Sequence, residues 1–425
     1  MSNISEPLDV EFYREARFKK VKLSGQVVEV PEDWEVVRLG DVAELIMGQS
    51  PPSETYNENK EGMPFLQGKA EFGTIFPRHI KYTTKPLKIA KKGSVLVSVR
   101  APVGDVNLAN MDYCIGRGLA SICSYNSDNT FLFYQLKLRK TELEQKSGGS
   151  TFKAIGRKDL EEFLIIKPPL PEQKKIATVL KTIDDAIEAV QKSIEKLKRI
   201  KKGLMQRLLT RGINHTRFKK TEIGEIPEEW EVVRIREIAE VVRGGSPRPK
   251  GDPRYFSQKP TGIHWITISD LSKYRNGVYL TGTDEFLTKE GKRYSRYLES
   301  GTLVLTNSGT VGIPAVLAIN GCIHDGYLAL LNIKNADKFY LYYIFENMRN
   351  YFFSIAPKGT QANLNTSIVS NVRIPLPPLP EQKKIAEILM TIDNVIKLKE
   401  KKKEKLERMK KKVMDLLLSG KVRVK

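Results

Sequence analysis

The sequence predicts an α+β fold: two mixed α/β domains in tandem repeat, each followed by a long helix, the two helices forming an antiparallel coiled coil. Three observations predict it. The 425-residue chain is written twice. Each copy ends in an apolar stripe with heptad spacing, and each opens with short strand-like runs punctuated by Gly and Pro.

The repeat comes first, because it decides the architecture. Residues 168–187 read PPLPEQKKIATVLKTIDDAI and residues 377–396 read PPLPEQKKIAEILMTIDNVI, with 15 of 20 positions identical. Residues 29–51 and 225–247, EVPEDWEVVRLGDVAELIMGQSP and EIPEEWEVVRIREIAEVVRGGSP, share 13 of 23. A third match aligns Gly93, Val103, Gly104, Cys114, Ile115 and Gly118 with Gly301, Val311, Gly312, Cys322, Ile323 and Gly326. A period of about 200 residues is too long for a solenoid. It implies two copies of a whole module and a pseudo-two-fold molecule. The string RFKK at 17–20 recurs at 217–220. The linker between modules thus has its counterpart split between the two termini, as in a circle cut once.

The expected elements follow in order. Residues 1–27 are an N-terminal segment completing the circular repeat. Residues 28–168 are the first mixed domain, with a strand over Glu35–Leu39, a helical turn or two around Asp41–Leu45 and a later strand over Gly93–Val99. Residues 169–213 are the first long helix. Its stripe is Ile176, Leu180, Ile183, Ile187, Val190, Ile194, Leu197, Leu204 and Leu208, in 4-3 steps with Lys201 as the one polar entry. Glu172 follows a proline at the start and Gly212 marks the stop, about 40 residues or 60 Å apart. Residues 214–377 are the second domain, with a strand over Gly301–Leu305. Residues 378–425 are the second long helix, with the stripe Ile385, Leu389, Ile392, Ile396, Leu406, Val413 and Leu417. Lys399, Lys403 and Lys410 interrupt that stripe, which suggests a shifted face through Val395, Leu398 and Met409.

Charge points to a polyanion. The formal net charge is +21. Residues 172–211 carry 11 basic against 5 acidic side chains and residues 381–425 carry 15 against 7, so the excess is concentrated rather than spread. No apolar run is long enough to cross a membrane, the N-terminus lacks a secretory signal pattern, and Cys114, Cys123 and Cys322 form no metal or disulfide pattern. A cytoplasmic location is expected. Catalytic motifs are missing. Residues 62–70, GMPFLQGKA, have the wrong spacing for a phosphate-binding loop and Ala70 where magnesium needs a hydroxyl. His79, His215, His264 and His324 lack ligand spacing. Asp184 and Asp185 read as a solvated helix face rather than an acid–base pair. No catalytic residue, metal or cofactor is expected.

Two domains that each open with Pro31-x-x-Trp34 or Pro227-x-x-Trp230 and end in Pro169–Ile176 or Pro378–Ile385 resemble the specificity subunit of type I restriction–modification systems. Gly48–Pro51, Gly245–Pro247, Gly149–Thr151 and Gly359–Gln361 fit the same pattern. The resemblance implies two target-recognition domains, each reading one half of a split double-stranded DNA sequence. It implies helices that set the gap and dock two methyltransferase (modification) subunits, joined by motor–nuclease (restriction) subunits. The chain itself would be non-catalytic. Base readers should lie where the modules differ. The candidates are Gln67, Lys69, Arg100, Arg117 and Lys153 in the first, and Arg248, Lys250, Arg254, Thr267, Ser269, Asn307 and Lys358 in the second. A self-sufficient DNA methyltransferase or nuclease, and a coiled-coil scaffold that binds only proteins, are the rival readings.

Overall fold

The computed structural model describes residues 10–15, 17–23, 25–147, 154–257, 262–357 and 363–425. The chain divides into two compact units, residues 1–189 with 403–425, and residues 190–402. Each unit therefore holds one mixed domain, part of one long helix and part of the other.

In the first unit the strands Val106–Leu108, Val95–Ser98, Leu119–Ser124 and Ala43–Met47 form an antiparallel sheet in that order. Val95–Ser98 is buried on both faces, as its unbroken apolar run requires. A second, mixed sheet orders Tyr56–Asn57, Lys81–Thr83, Met63–Leu66, Tyr113–Ile115 and Ile89–Ala90, its one parallel pair lying between Met63–Leu66 and Tyr113–Ile115. The second unit repeats this plan. Six strands centre on Leu303–Thr306 and Tyr327–Leu331, and five centre on Ile263–Ile266 and Gly321–Ile323, again a parallel pair. In both units the strand after the Trp pairs with the strand before the Pro-rich run: Glu35–Arg38 with Leu164–Lys167, and Glu231–Arg234 with Arg373–Leu376.

Two expectations need correction here. The helical turn ends at Val42, and Ala43–Met47 is a strand. The alternation of buried Ala43 and Leu45 with exposed Glu44 has the period of a strand edge, paired to Leu119–Ser124. The second long helix ends at Leu418, and Val422–Val424 forms an antiparallel strand pair with Phe12–Arg14.

The long helices span Leu170–Arg211 and Leu379–Leu418. After each, a glycine turns the chain at positive φ, Gly212 at 62° and Gly420 at 73°. Within each unit the helices pack antiparallel. In the first, Asp184 meets Lys410 while Ile176 and Leu180 share a core with Leu417 and Leu418. In the second, Lys198 meets Glu400 and Lys201 meets Asp393.

Ile176, Leu180, Ile187, Val190, Ile194 and Leu208 are buried, and Ile183, Leu197 and Leu204 half-buried. On the second helix Ile385, Leu389, Ile396 and Leu417 are buried, and Ile392, Leu406 and Val413 half-buried. The shifted face does not form: Val395, Leu398 and Met409 are exposed, and the seam lysines stay on the seam. Two of them meet carboxylates, Lys403 that of Glu407 on its own helix and Lys410 that of Asp184 on the facing one. Lys410 donates to both oxygens of Asp184 at 2.6 and 2.7 Å.

Candidate nucleic-acid interface

The repeated motifs first serve to hold each domain on its helix. Glu172 accepts a hydrogen bond from Trp34 Nε1 at 3.1 Å, and Glu381 accepts one from Trp230 Nε1 at 3.0 Å. The neighbouring glutamines cap the next helix of the domain: Gln173 accepts from the Asp128 N–H and Gln382 from the Asp337 N–H. About three turns further along, Asp184 accepts from Tyr134 and Asp393 from Tyr343. Asp184 is thus almost fully buried, not solvated as expected, and only Asp185 faces water, paired with Lys181. Burial, and then Asp184, push the Tyr134 hydroxyl far above its ordinary pKa, so it remains a donor.

Away from these anchors, each domain carries a common backbone frame. In the first unit the Gly48 and Gln49 N–H groups donate to the carbonyls of Leu119 and Ile115, Gly116 donates to Leu66, and Val99 to Gly118. In the second, Gly244 and Gly245 donate to Tyr327 and Ile323, His324 to Ile266, and Asn307 to Gly326. The close approach requires glycine. A Cβ on Gly48 would lie 2.2 Å from the Gly116 carbonyl oxygen, and one on Gly244 would lie 2.1 Å from that of His324. The frame has the same serine in both units, Ser50 and Ser246, and different side chains around it.

In the first unit Gln67 Nε2 donates to Ser50 Oγ at 3.0 Å, and the Arg117 N–H donates to the same oxygen at 3.2 Å. Gln67, Arg100 and Arg117 are exposed. Neither arginine has a carboxylate partner among the described residues. Lys69 is less free, paired with Asp105 at 2.6 Å, where Lys140 also sits. Burial opposes ionisation of Asp105, but the two lysines outweigh it and hold its pKa below the ordinary value.

In the second unit Thr267 Oγ1 bonds Ser269 and Asp270, leaving Ser269 exposed. Arg248 and Lys250 are exposed, 3.9 Å from Asp325 and 3.6 Å from Glu285. Arg254 is exposed but forked onto Asp252. Asn307 is the correction. It is fully buried, its amide donates to the Asp325 carbonyl, and it supports the turn from below instead of facing a ligand. Lys153 and Lys358 lie outside the described residues, as do the Gly149–Thr151 and Gly359–Gln361 strings.

Sequence reasoning missed Asp325, set His324 aside for want of ligand spacing, and noted Ser246 only within the Gly245–Pro247 string. The signal that could have found all three was their alignment with Arg117, Gly116 and Ser50. Among the described residues no cluster of His, Cys, Asp and Glu could hold a metal ion, and no helix is long and apolar enough to cross a membrane.

The comparisons with known proteins agree along the whole chain. The model of the type I restriction modification DNA specificity domain matches residues 31–199 and again 227–408. The specificity subunit of the type I restriction enzyme MjaVIII of Methanocaldococcus jannaschii is 33% identical over 433 residues, covering 98% of both chains. The putative MjaX specificity subunit of the same organism is 54% identical over 197 residues, 45% of both chains. Among solved structures, the S subunit of a type I restriction–modification system from M. genitalium superposes with a TM-score of 0.61 at 16% identity, covering 90% of this chain and 96% of that one.

Proposed function

The chain belongs to the type I restriction–modification DNA specificity family, and from that membership we propose that it is the subunit that selects the DNA sequence for a restriction–modification complex and performs no catalysis itself. One observation carries the reading: a single backbone frame occurs twice with different side chains. Two readers with a shared scaffold and unlike chemistry suit two unlike half-sites, just as dimeric readers suit palindromes. The first domain reads one half-site and the second reads the other. Arginines bond guanine through two donors, and amides or carboxylates address adenine and cytosine. The excess of Lys and Arg supplies sequence-independent affinity for phosphate, which weakens with salt.

The long helices act as the spacer. Each residue adds about 1.5 Å of helix, so helix length sets the distance between half-sites. The helices also carry the docking surface for two methyltransferase subunits, with motor–nuclease subunits joining the assembly. The complex works in the cytoplasm, where host DNA lies.

Selection from a random DNA pool by the chain bound to its modification subunit tests this reading. The expected product is two short specified blocks separated by an unspecified gap of fixed length. A single continuous motif, or no enrichment, would overturn it.

A further inference from the structure

We propose that Arg117 and Asp325 occupy one and the same reading position in the two domains, Arg117 selecting guanine in the first half-site and Asp325 selecting cytosine in the second. The inference rests on the half-site reading above and names the residues that carry it.

The equivalence is structural. Both residues sit in the turn that leaves the parallel strand, Tyr113–Ile115 in one unit and Gly321–Ile323 in the other. The residue before each turn position donates its N–H to the end of the neighbouring parallel strand, Gly116 to Leu66 and His324 to Ile266. The turn closes in the same way, Leu119 N–H on Gly116 and Tyr327 N–H on His324. Beneath it, Val99 and Asn307 each donate to the following glycine, Gly118 or Gly326. Each also accepts from the next segment, Ile155 or Leu364. The frame serine approaches the turn in both units: Ser50 Oγ lies 3.2 Å from the Arg117 nitrogen, and Ser246 Oγ lies 3.3 Å from that of Asp325. Six features of the turn coincide, while the side chain changes from a cation to an anion.

The chemistry at each position is that of a base reader. The Arg117 guanidinium is exposed and has no carboxylate partner among the described residues, so both of its terminal N–H groups are available to guanine O6 and N7. Asp325 is held more firmly. Its Oδ1 accepts from Ser246 Oγ at 2.8 Å and faces His324 Nε2 at 3.0 Å. His324 Nδ1 accepts the Gly326 N–H, which leaves the ring proton on Nε2, aimed at the carboxylate. Burial lowers the His324 pKa more than Asp325 raises it, so at neutral pH the ring donates without cancelling the charge. Among the described residues, Oδ2 has the 3.9 Å approach of Arg248, itself highly exposed. The Arg243 side chain bonds the Asp325 carbonyl, and Arg296 bonds that of Arg243. An oriented carboxylate repels phosphate. It fits the cytosine N4 amino donor, with the arginines on the flanking backbone.

Methylated-DNA sequencing from cells that carry the complete complex with Asp325→Asn or Arg117→Ala tests the assignment. Asp325→Asn should blunt one position of the second half-site, with preference for cytosine falling roughly tenfold or more, and leave the first half-site intact. Arg117→Ala should do the converse at one guanine of the first half-site. Unchanged motifs in both variants, or changes in the wrong half-site, would overturn the proposal. The Arg117 side chain has no hydrogen bond or ion pair among the described residues, so its variant keeps the test decisive if Asp325→Asn fails to fold. A wild-type map without two blocks would instead sink the half-site reading itself.

Discussion

Asp184 shows how far a single residue can stray from its sequence context. An Asp-Asp pair on a basic helix has the pattern of a solvated face, yet Asp184 is buried beneath Tyr134 and clamped by Lys410. The mirror site joins Asp393, Tyr343 and Lys201. Nothing local announces such a partnership, because Lys410 lies 226 positions away. The same pairing explains two polar entries of the seam, Lys201 and Lys410, each of which meets a carboxylate on the facing helix. A buried pair is costly to break and cheap to replace whole. Asp184→Asn should therefore destabilise the protein by about 3 kcal/mol, because it leaves the largely buried Lys410 ammonium without a counter-charge. Adding Lys410→Met to that variant should recover most of the loss, as the seam around it is apolar. Chemical denaturation of both variants checks this; a single variant as stable as wild type would refute the ionic role.

At the scale of elements, heptad spacing was legible because it depends only on near neighbours. The first stripe is buried or half-buried at every step from Ile176 to Leu208. What was not legible depended on distant chain. The strand Ala43–Met47 needs Leu119–Ser124 to pair with, and the terminal strand Val422–Val424 needs Phe12–Arg14. The long helix also makes the most direct element-level prediction. Four residues inserted near Lys192 should lengthen the first helix by about 6 Å while nearly completing a turn, so the seam shifts but survives. The methylated sequence should keep both half-sites and change its gap. An unchanged gap in a folded variant would remove the helix from its spacer role.

At the scale of the whole molecule, the internal repeat was the strongest signal in the chain, and it foretold two similarly built domains. It did not reveal which residues of the repeat face a ligand. Asn307 and Asp325 differ in sequence between copies to the same degree, yet one lies beneath the frame and the other on it. Only the three-dimensional frame separates a support from a reader. The repeat also hid its own structural purpose: the Trp34–Glu172 and Trp230–Glu381 bonds join each domain's opening to the helix that closes it. Any exchanged domain must therefore bring a tryptophan to meet Glu172.

That requirement defines the measurement closest to the central claim, that two independent readers share one chain. The first domain is replaced by that of a related protein, joined at Pro31 and Pro168, with its own tryptophan retained. Methylated DNA from cells carrying the chimera and its modification subunit is then sequenced. The account predicts a new first half-site, an unaltered second half-site and an unaltered gap. If both half-sites changed together, or if a folded chimera no longer assembled with the modification subunit, the claim of two independent readers would be contradicted.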